Sequence, residues 1–327
     1  MYDRYARASR SLQVQTKGWY WAGRAALAMG QVQTANAYFQ RAAASPDLFY
    51  GQLALERLGR PVTAPPQALI QYVTTAGQRQ EFNNRRLVQA LHLLAQQGRS
   101  AEEALFVQAL AGSLSTTSDR YLALELADQL RRPDLSVWTA RQARIQGSSF
   151  YFRQAYPLLP AQVSSGLWSL SHGISRQESS FDPYAISHAG ARGMMQLMTG
   201  TAREQAGKVG VGYDSSRLVS DPSYNVLLGS TYFQRMMNIW NGSVPLAVAS
   251  YNAGSGNVGK WVRNYGDPRG QVDVLKWIEA IPFTETKGYV QRVIENSVVY
   301  DSMRQGQSQQ QQAALHVSRY LGKNRPA

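Results

Sequence analysis

Apolar residues recur along the first half of the chain at the three-to-four-residue spacing that gathers them on one face of a helix. Trp21, Ala25, Ala28 and Met29 keep that spacing up to Gly30. A second run, from Ala35 to Ala44, carries Tyr38, Phe39 and Ala42 and stops at Ser45-Pro46. A third, Leu53–Leu58, ends at Gly59-Arg60-Pro61. Glycine accepts the left-handed backbone that closes a helix, and a following proline cannot continue it. Residues 86–97 then set Leu87, Ala90, Leu91 and Leu94 on one face before Gly98, and Ser100 followed by Glu103 predicts a capping box at the start of the next helix. Segments 119–131 and 135–145 continue the pattern. Short helices with Ala-rich faces and small loops predict a stack of helical hairpins, a solenoid-like superhelix over residues 1–155. The period is irregular, so a generic helical bundle is the alternative.

Tyr156-Pro157-Leu158-Leu159-Pro160 marks the best boundary, because two prolines in four residues cannot lie inside a helix. Beyond it glycines cluster: Gly190, Gly193, Gly207, Gly210, Gly212, Gly254, Gly256 and Gly259. A second helical domain is therefore expected over residues 156–304. Six Gln among residues 305–312 give the remaining stretch, 305–327, the look of a frayed helix or flexible tail.

Composition narrows the function classes. The chain has 327 residues, of which 44% are apolar, enough for two cored domains and too many for a wholly disordered chain. Its net charge of +13 is spread, +8 before residue 160 and +5 after it, which favours a polyanionic partner. Nucleic acid is not expected: the 28 Arg and 6 Lys form no dense basic run and no binding module is present. There is no Cys, hence no disulfide or thiolate chemistry. No apolar run approaches the roughly 18 residues of a membrane span, and Met1-Tyr2-Asp3-Arg4-Tyr5 lacks a signal-peptide core. His92, His172, His188 and His316 are far apart, so neither a metal nor a cofactor is expected. A serine-hydrolase G-x-S-x-G elbow is also missing.

Between Ser164 and Ser180, Leu167, Leu170 or Ser171, Ile174 and Glu178 share one helical face. A carboxylate on the anchoring face of a helix is desolvated, which favours the proton-bearing form that general acid catalysis requires. The plainer alternative is a helix-terminal Glu paired with Arg176 or Arg192. Asp182 invites comparison as a second carboxylate, but Pro183 beside it points to a turn cap.

The stretch Ile174-Ser175-Arg176-Gln177-Glu178-Ser179-Ser180-Phe181-Asp182-Pro183 resembles the catalytic signature of the soluble lytic transglycosylases, enzymes that cleave bacterial peptidoglycan. Gly190-Ala191-Arg192-Gly193-Met194-Met195-Gln196-Leu197-Met198 is similar to that family's second motif, Ala249-Ser250-Tyr251-Asn252-Ala253-Gly254 to its third, and Ile281-Pro282-Phe283-Thr284-Glu285-Thr286-Lys287-Gly288-Tyr289-Val290 to its fourth. Upstream, Gly18-Trp19-Tyr20-Trp21 and Phe49-Tyr50-Gly51-Gln52-Leu53-Ala54 resemble the superhelix that precedes the catalytic domain in large members. Two departures stand out. Thr199 occupies the place of a usual Pro, and the signal peptide and further N-terminal helices expected of the family are not in this chain.

The resemblance implies an all-α protein whose superhelix leads to a lysozyme-like catalytic domain. It implies non-hydrolytic cleavage of the MurNAc-β-1,4-GlcNAc bond to 1,6-anhydro-MurNAc products. Glu178 would act first as acid and then as base, with no second carboxylate, as in other substrate-assisted glycosidases. Ser187, Met194, Gln196, Met198, Tyr251, Asn252 and Glu285 would contact the substrate. Met194 reads equally well as core, and Asn252 would anchor the turn after it. Peptidoglycan strands are the implied partner, with cell-wall machinery proteins meeting the helical domain in the periplasm. A hydrolytic lysozyme-type muramidase and a non-catalytic scaffold remain as alternatives. Gly254-Ser255-Gly256-Asn257-Val258-Gly259 matches the G-x-G-x-x-G dinucleotide pattern, but no β-α alternation surrounds it. A glycine loop that lets backbone approach a sugar is the better interpretation.

Overall fold

The computed structural model describes residues 1–66, 73–148, 150–304 and 317–327. The Gln-rich stretch 305–312 and His316 lie outside the described residues. The described residues are mostly helical: α1 Tyr2–Arg7, α2 Leu12–Ala28, α3 Val32–Ala43, α4 Phe49–Arg57, α5 Ala76–Asn83, α6 Arg86–Gln96, α7 Ser100–Ser113, α8 Thr117–Leu130 and α9 Pro133–Ile145. There follow α10 Trp168–Glu178, α11 Thr199–Val209, α12 Arg217–Ser220, α13 Pro222–Ile239, α14 Val244–Ala253, α15 Ser255–Tyr265, α16 Val274–Ala280, α17 Thr284–Met303 and α18 Val317–Tyr320. The described residues contain no strand, only two isolated antiparallel bridges, Ile186 with Arg192 and Arg192 with Leu197. The all-α expectation holds.

Glycine ends the helices where the sequence predicts. Gly30, Gly59 and Gly98 follow α2, α4 and α6 at φ of 74°, 65° and 67°. The capping box predicted at Ser100 is not formed. Arg99 is the N-cap of α7 and its side chain makes no cap bond. Glu103 instead accepts from Arg132, 3.0 Å away, and the Ser100 carbonyl accepts from the same guanidinium at 2.6 Å. A buried arginine outcompetes a local cap because a charge-assisted bond is the stronger one. A true capping box does occur one helix pair earlier, where Thr75 and Gln78 exchange bonds at the start of α5, a helix the sequence pattern did not reveal.

By contact, the chain forms two compact units. The first comprises Met1–Ala64, Val163–Gln177 and Ser230–Ala327; the second comprises Pro65–Gln162 and Glu178–Gly229. In the first, Tyr20 packs against Phe39 and Tyr50 with ring centroids 5.7 and 5.4 Å apart. The N-terminal helices are tied to the C-terminal ones by buried carboxylates: Glu295 caps α4 by accepting from the Phe49 amide at 2.7 Å, and Glu56 accepts from the Ser318 amide at 2.8 Å. Also in this unit, α10 lies against α17 so closely that a Cβ on Gly173 would sit 2.5 Å from Ser297 Oγ and 2.8 Å from the Val293 carbonyl. In the second unit the core is Phe82, Val88, Leu91, Val107, Leu110, Leu114, Leu122, Leu126 and Leu135, one apolar face from each of five helices and their joints.

Candidate active site

Glu178 is the last residue of α10 and is half-buried, as its place on the anchoring face predicts. Arg176, two residues back, is buried and donates to Asn296 Oδ1 at 2.8 Å. The chain then makes an abrupt turn. Ser180 and Phe181 both have left-handed backbones, φ 59° and 71°, although neither is glycine and Phe181 is fully buried. Such conformations are strained for side chains with a Cβ and persist only where the surroundings impose them.

The second unit brings the first two motifs together. Ser179 Oγ donates to the Met194 carbonyl at 2.8 Å. Gln196, itself left-handed at φ 48°, donates from Nε2 to the carbonyls of Ala185 and Gly193 at 3.0 and 2.9 Å. Its amide donors thus brace the loop backbone. Ser187 Oγ accepts from the Ala191 amide at 3.0 Å, closing the tight turn between the two motifs. Met194 is buried, while Met198 is 46% exposed; Ile186 and Tyr184 of the same unit are also exposed.

Asn225 on α13 holds the second motif, and the sequence pattern did not reveal it. Fully buried, it accepts from the Met195 amide at 2.8 Å and donates to the carbonyls of Arg192 and Leu218 at 2.9 Å each. Only a glycine fits where the motif passes it: Gly193 has φ 74°, and a Cβ there would lie 2.0 Å from the Leu218 carbonyl and 2.4 Å from Asn225 Nδ2. An Asn just ahead of the apolar run Val226-Leu227-Leu228 was the available signal, since Asn is a poor helix former unless its amide has another task.

Asp182 is the turn cap that Pro183 suggested, accepting from the Tyr184 amide at 3.0 Å. It is also buried and lies 3.6 Å from Arg132. Burial, with Asp134 nearby, pushes its carboxyl up to about 6, against the opposing pull of Arg132.

The first unit brings the third and fourth motifs together. Thr286 Oγ1 donates to Asn252 Oδ1 at 2.6 Å. Tyr251 is buried against the rings of Tyr232 and Phe233, at 5.2 and 6.0 Å. Glu285 is exposed in the first turn of α17, where a carboxylate meets free helix amides. The G-x-G-x-x-G stretch joins two helices, α14 and α15, with Gly254 at φ 81° between them, so it lacks the preceding strand of a dinucleotide loop.

Comparison with known proteins agrees with this arrangement. Residues 160–274 match the transglycosylase SLT domain. Over 176 residues the chain is 35% identical to the soluble lytic murein transglycosylase of Escherichia coli K12, a match covering 51% of this chain and 26% of that protein. The structure of the lytic transglycosylase Slt from Pseudomonas aeruginosa, an inactive glutamate-to-glutamine mutant, superimposes with a TM-score of 0.71 at 26% identity, covering 88% of this chain and 46% of that one. The 70 kDa soluble lytic transglycosylase of E. coli superimposes with a TM-score of 0.74 at 23% identity, covering 95% of this chain and 48% of that one. The chain therefore spans about a quarter of the curated relative and about half of the solved ones. Residues 160–274 are thus similar to the transglycosylase SLT domain, and a similarity to soluble lytic murein transglycosylases runs over 176 residues of the chain.

Proposed function

We propose that this chain cleaves peptidoglycan glycan strands as a lytic transglycosylase, with Glu178 as its single acid and base. The observation that carries the proposal is Glu178 at the end of α10, leading into a strained turn that is fastened to the second motif through Ser179 and Met194. In the proposed reaction the protonated Glu178 gives its proton to the glycosidic oxygen between MurNAc and GlcNAc, and the C1–O4 bond breaks. The N-acetyl group of MurNAc shields the cationic C1. Glu178, now a carboxylate, takes the proton of the C6 hydroxyl, and O6 bonds to C1 to close the 1,6-anhydro ring. No water is consumed and the enzyme returns to its starting state. Asp182, buried beside Arg132 and capping a turn, is unsuited to the role of a second catalytic carboxylate.

Met198, exposed, offers an apolar side chain to a pyranose face, and Met194, buried, contributes by its place in the second motif. Ser187 and Gln196 shape the loop and bring polar atoms to the sugar amide. Tyr251, Asn252 and Glu285 contribute further substrate contacts by their match to the third and fourth motifs. We assign catalysis to residues 156–304 and partner docking, by cell-wall machinery proteins, to the superhelical residues 1–155; of the expected tail 305–327, the described part, 317–327, is instead packed into the first unit through Glu56, Asp301 and Tyr20. The site of action would be the periplasm, where peptidoglycan lies; among the described residues no helix is long and apolar enough to cross a membrane.

The test is mass spectrometry of products released from purified sacculi by the wild type and by Glu178→Gln. Muropeptides one water lighter than hydrolytic products, absent with the variant, are the expected result. Products with a free reducing end would make the protein a muramidase, and an absence of products would make it a scaffold.

A further inference from the structure

Arg132 stands between α8 and α9 and is 4% exposed. Its guanidinium makes a two-pronged contact with Asp134, Nε and Nη2 to the two carboxylate oxygens at 2.8 and 2.7 Å. From Nη1 it reaches Glu103 at 3.0 Å and the Ser100 carbonyl at 2.6 Å. That alone satisfies the cation. A third carboxylate is nonetheless present: Asp182, with 7% of its side chain exposed, 3.6 Å from Nη2. Three acids around one base form an unfavourable arrangement in a site with little water, since each desolvated charge needs its own compensation. A turn cap does not require it, because Asn or Ser would accept from the Tyr184 amide equally well.

Asp182 closes the strained turn that begins at Glu178. Its amide donates to the Ser179 carbonyl at 3.1 Å, across the left-handed Ser180 and Phe181, and the buried Ser180 hydroxyl has no hydrogen-bond partner. The turn is thus held at one end by Ser179 on Met194 and at the other by Asp182 beside Arg132, with Phe181 wedged into the core between them. Released from either hold, Ser180 and Phe181 would relax toward negative φ and carry the preceding residue with them.

We propose that Arg132 is a positioning residue for the reaction, acting through Asp182 to keep the left-handed turn wound and the Glu178 carboxyl in place. The inference rests on the assignment of Glu178 as the acid. It places part of the catalytic geometry in a residue some 45 positions upstream of the first motif, on the helical half of the sequence.

The decisive variants are Asp182→Asn, which keeps the turn cap and leaves Arg132 paired with Asp134 and Glu103, together with Arg132→Gln and the double variant. On solubilised glycan strands Asp182→Asn should lower kcat by about tenfold or more, the scale of a small misplacement of a catalytic group, with KM within about twofold. The double variant should match Asp182→Asn in kcat, because Arg132 has no further effect once its partner is neutral. Backbone amides of residues 179–184 should exchange faster in every variant. A kcat of Asp182→Asn within about twofold of wild type overturns the proposal, whatever the exchange shows. So does a double variant whose kcat losses multiply. If Arg132→Gln fails to fold, Asp182→Asn alone decides. A wild-type protein without turnover would refute the assignment of Glu178 instead. In that event unchanged exchange at 179–184 in Asp182→Asn also overturns the hold on the turn, and faster exchange sustains it.

Discussion

The two compact units bury carboxylates differently, although Asp119 of the second, paired with Arg85 at 2.7 Å, follows the pattern of the first. In the first unit each acid has its own donors. Glu295 takes the Phe49 amide, Glu56 takes the amide and hydroxyl of Ser318, and Asp301 takes the hydroxyls of Ser169 and Tyr320. Glu279 is held by Lys17, Tyr50 and Gln291; burial works to raise its pKa, but these donors outweigh it and keep the group below its ordinary value. Most of these bonds join segments more than a hundred residues apart; only Tyr320 on Asp301 and Gln291 on Glu279 reach across shorter spans, 19 and 12 residues. In the second unit Glu103, Asp134 and Asp182 crowd one guanidinium. The difference separates two uses of buried charge. Matched acids fasten chain-distant segments and can be read as architecture. A surplus of acids at the strained turn after Glu178 serves no fastening purpose that one acid would not serve.

Replacing the acid itself should give the largest effect. Glu178→Gln is expected to lower turnover by roughly 10³-fold or more, within the span general acid–base groups supply, while the melting temperature barely moves. A large stability change would mean Glu178 belongs with the architectural acids. Next comes Asn225→Ala, which strips the Met195 amide and the Leu218 carbonyl of a buried partner and leaves the Arg192 carbonyl only the Leu197 amide. A loss of about 2–4 kcal/mol is expected from denaturant unfolding, together with reduced turnover at temperatures where the variant is folded. Stability loss with unchanged turnover would show that the second motif holds its shape unaided. Glu279→Ala should cost about 1–2 kcal/mol, because the site is half-buried, and leave kcat unchanged. A lowered kcat there would dissolve the distinction between the two units.

The last effects are in pH dependence, and they have opposite signs. Asp182 holds its proton up to about 6 in the fold, against 3.8 ordinarily, so its stabilising contribution is full below about 4 and is lost as pH rises through 6. His172, buried between Trp168 and Tyr300, is pushed down by burial to about 4 from 6.5. Its contribution is full above 6.5 and lost as pH falls through 4. The melting temperature of wild type minus that of Asp182→Asn should therefore fall between pH 4 and 6.5, and the same difference taken with His172→Phe should rise. Two slopes of one sign would refute the assignment for one of the two groups.

Much of this molecule is legible in its sequence, for local reasons. Gly30, Gly59 and Gly98 end helices because a left-handed backbone is a property of one residue. Glu178 could be placed on its face because helical period is a property of a dozen. The failures are long-range. Ser100 and Glu103 have the spacing of a capping box, and only the fold shows that Arg132, 29 residues on, claims both. Asn225 is one of three side-chain amides in α13, and nothing sets it apart until Met195, Arg192 and Leu218 surround it. The division of the chain by contact is also out of reach of any linear boundary, since each unit is assembled from separated segments. The candidate residues themselves were found by motif, but their division into a Ser179–Met194 pair of motifs and an Asn252–Thr286 pair was not.

Gly193 and Gly190 share one motif and nearly one backbone angle, φ 74° and 84°, yet they differ in what a lineage could do with them. Nothing lies within 4 Å of a Cβ built at Gly190, so drift to Asn or Asp meets only the modest conformational penalty of the left-handed region. At Gly193 the same step puts a carbon atom onto the Leu218 carbonyl, and no single compensating substitution can move a backbone oxygen. Position 193 is consequently a dead end for gradual change, and the lineage can leave it only by rebuilding the α12–α13 connection as well.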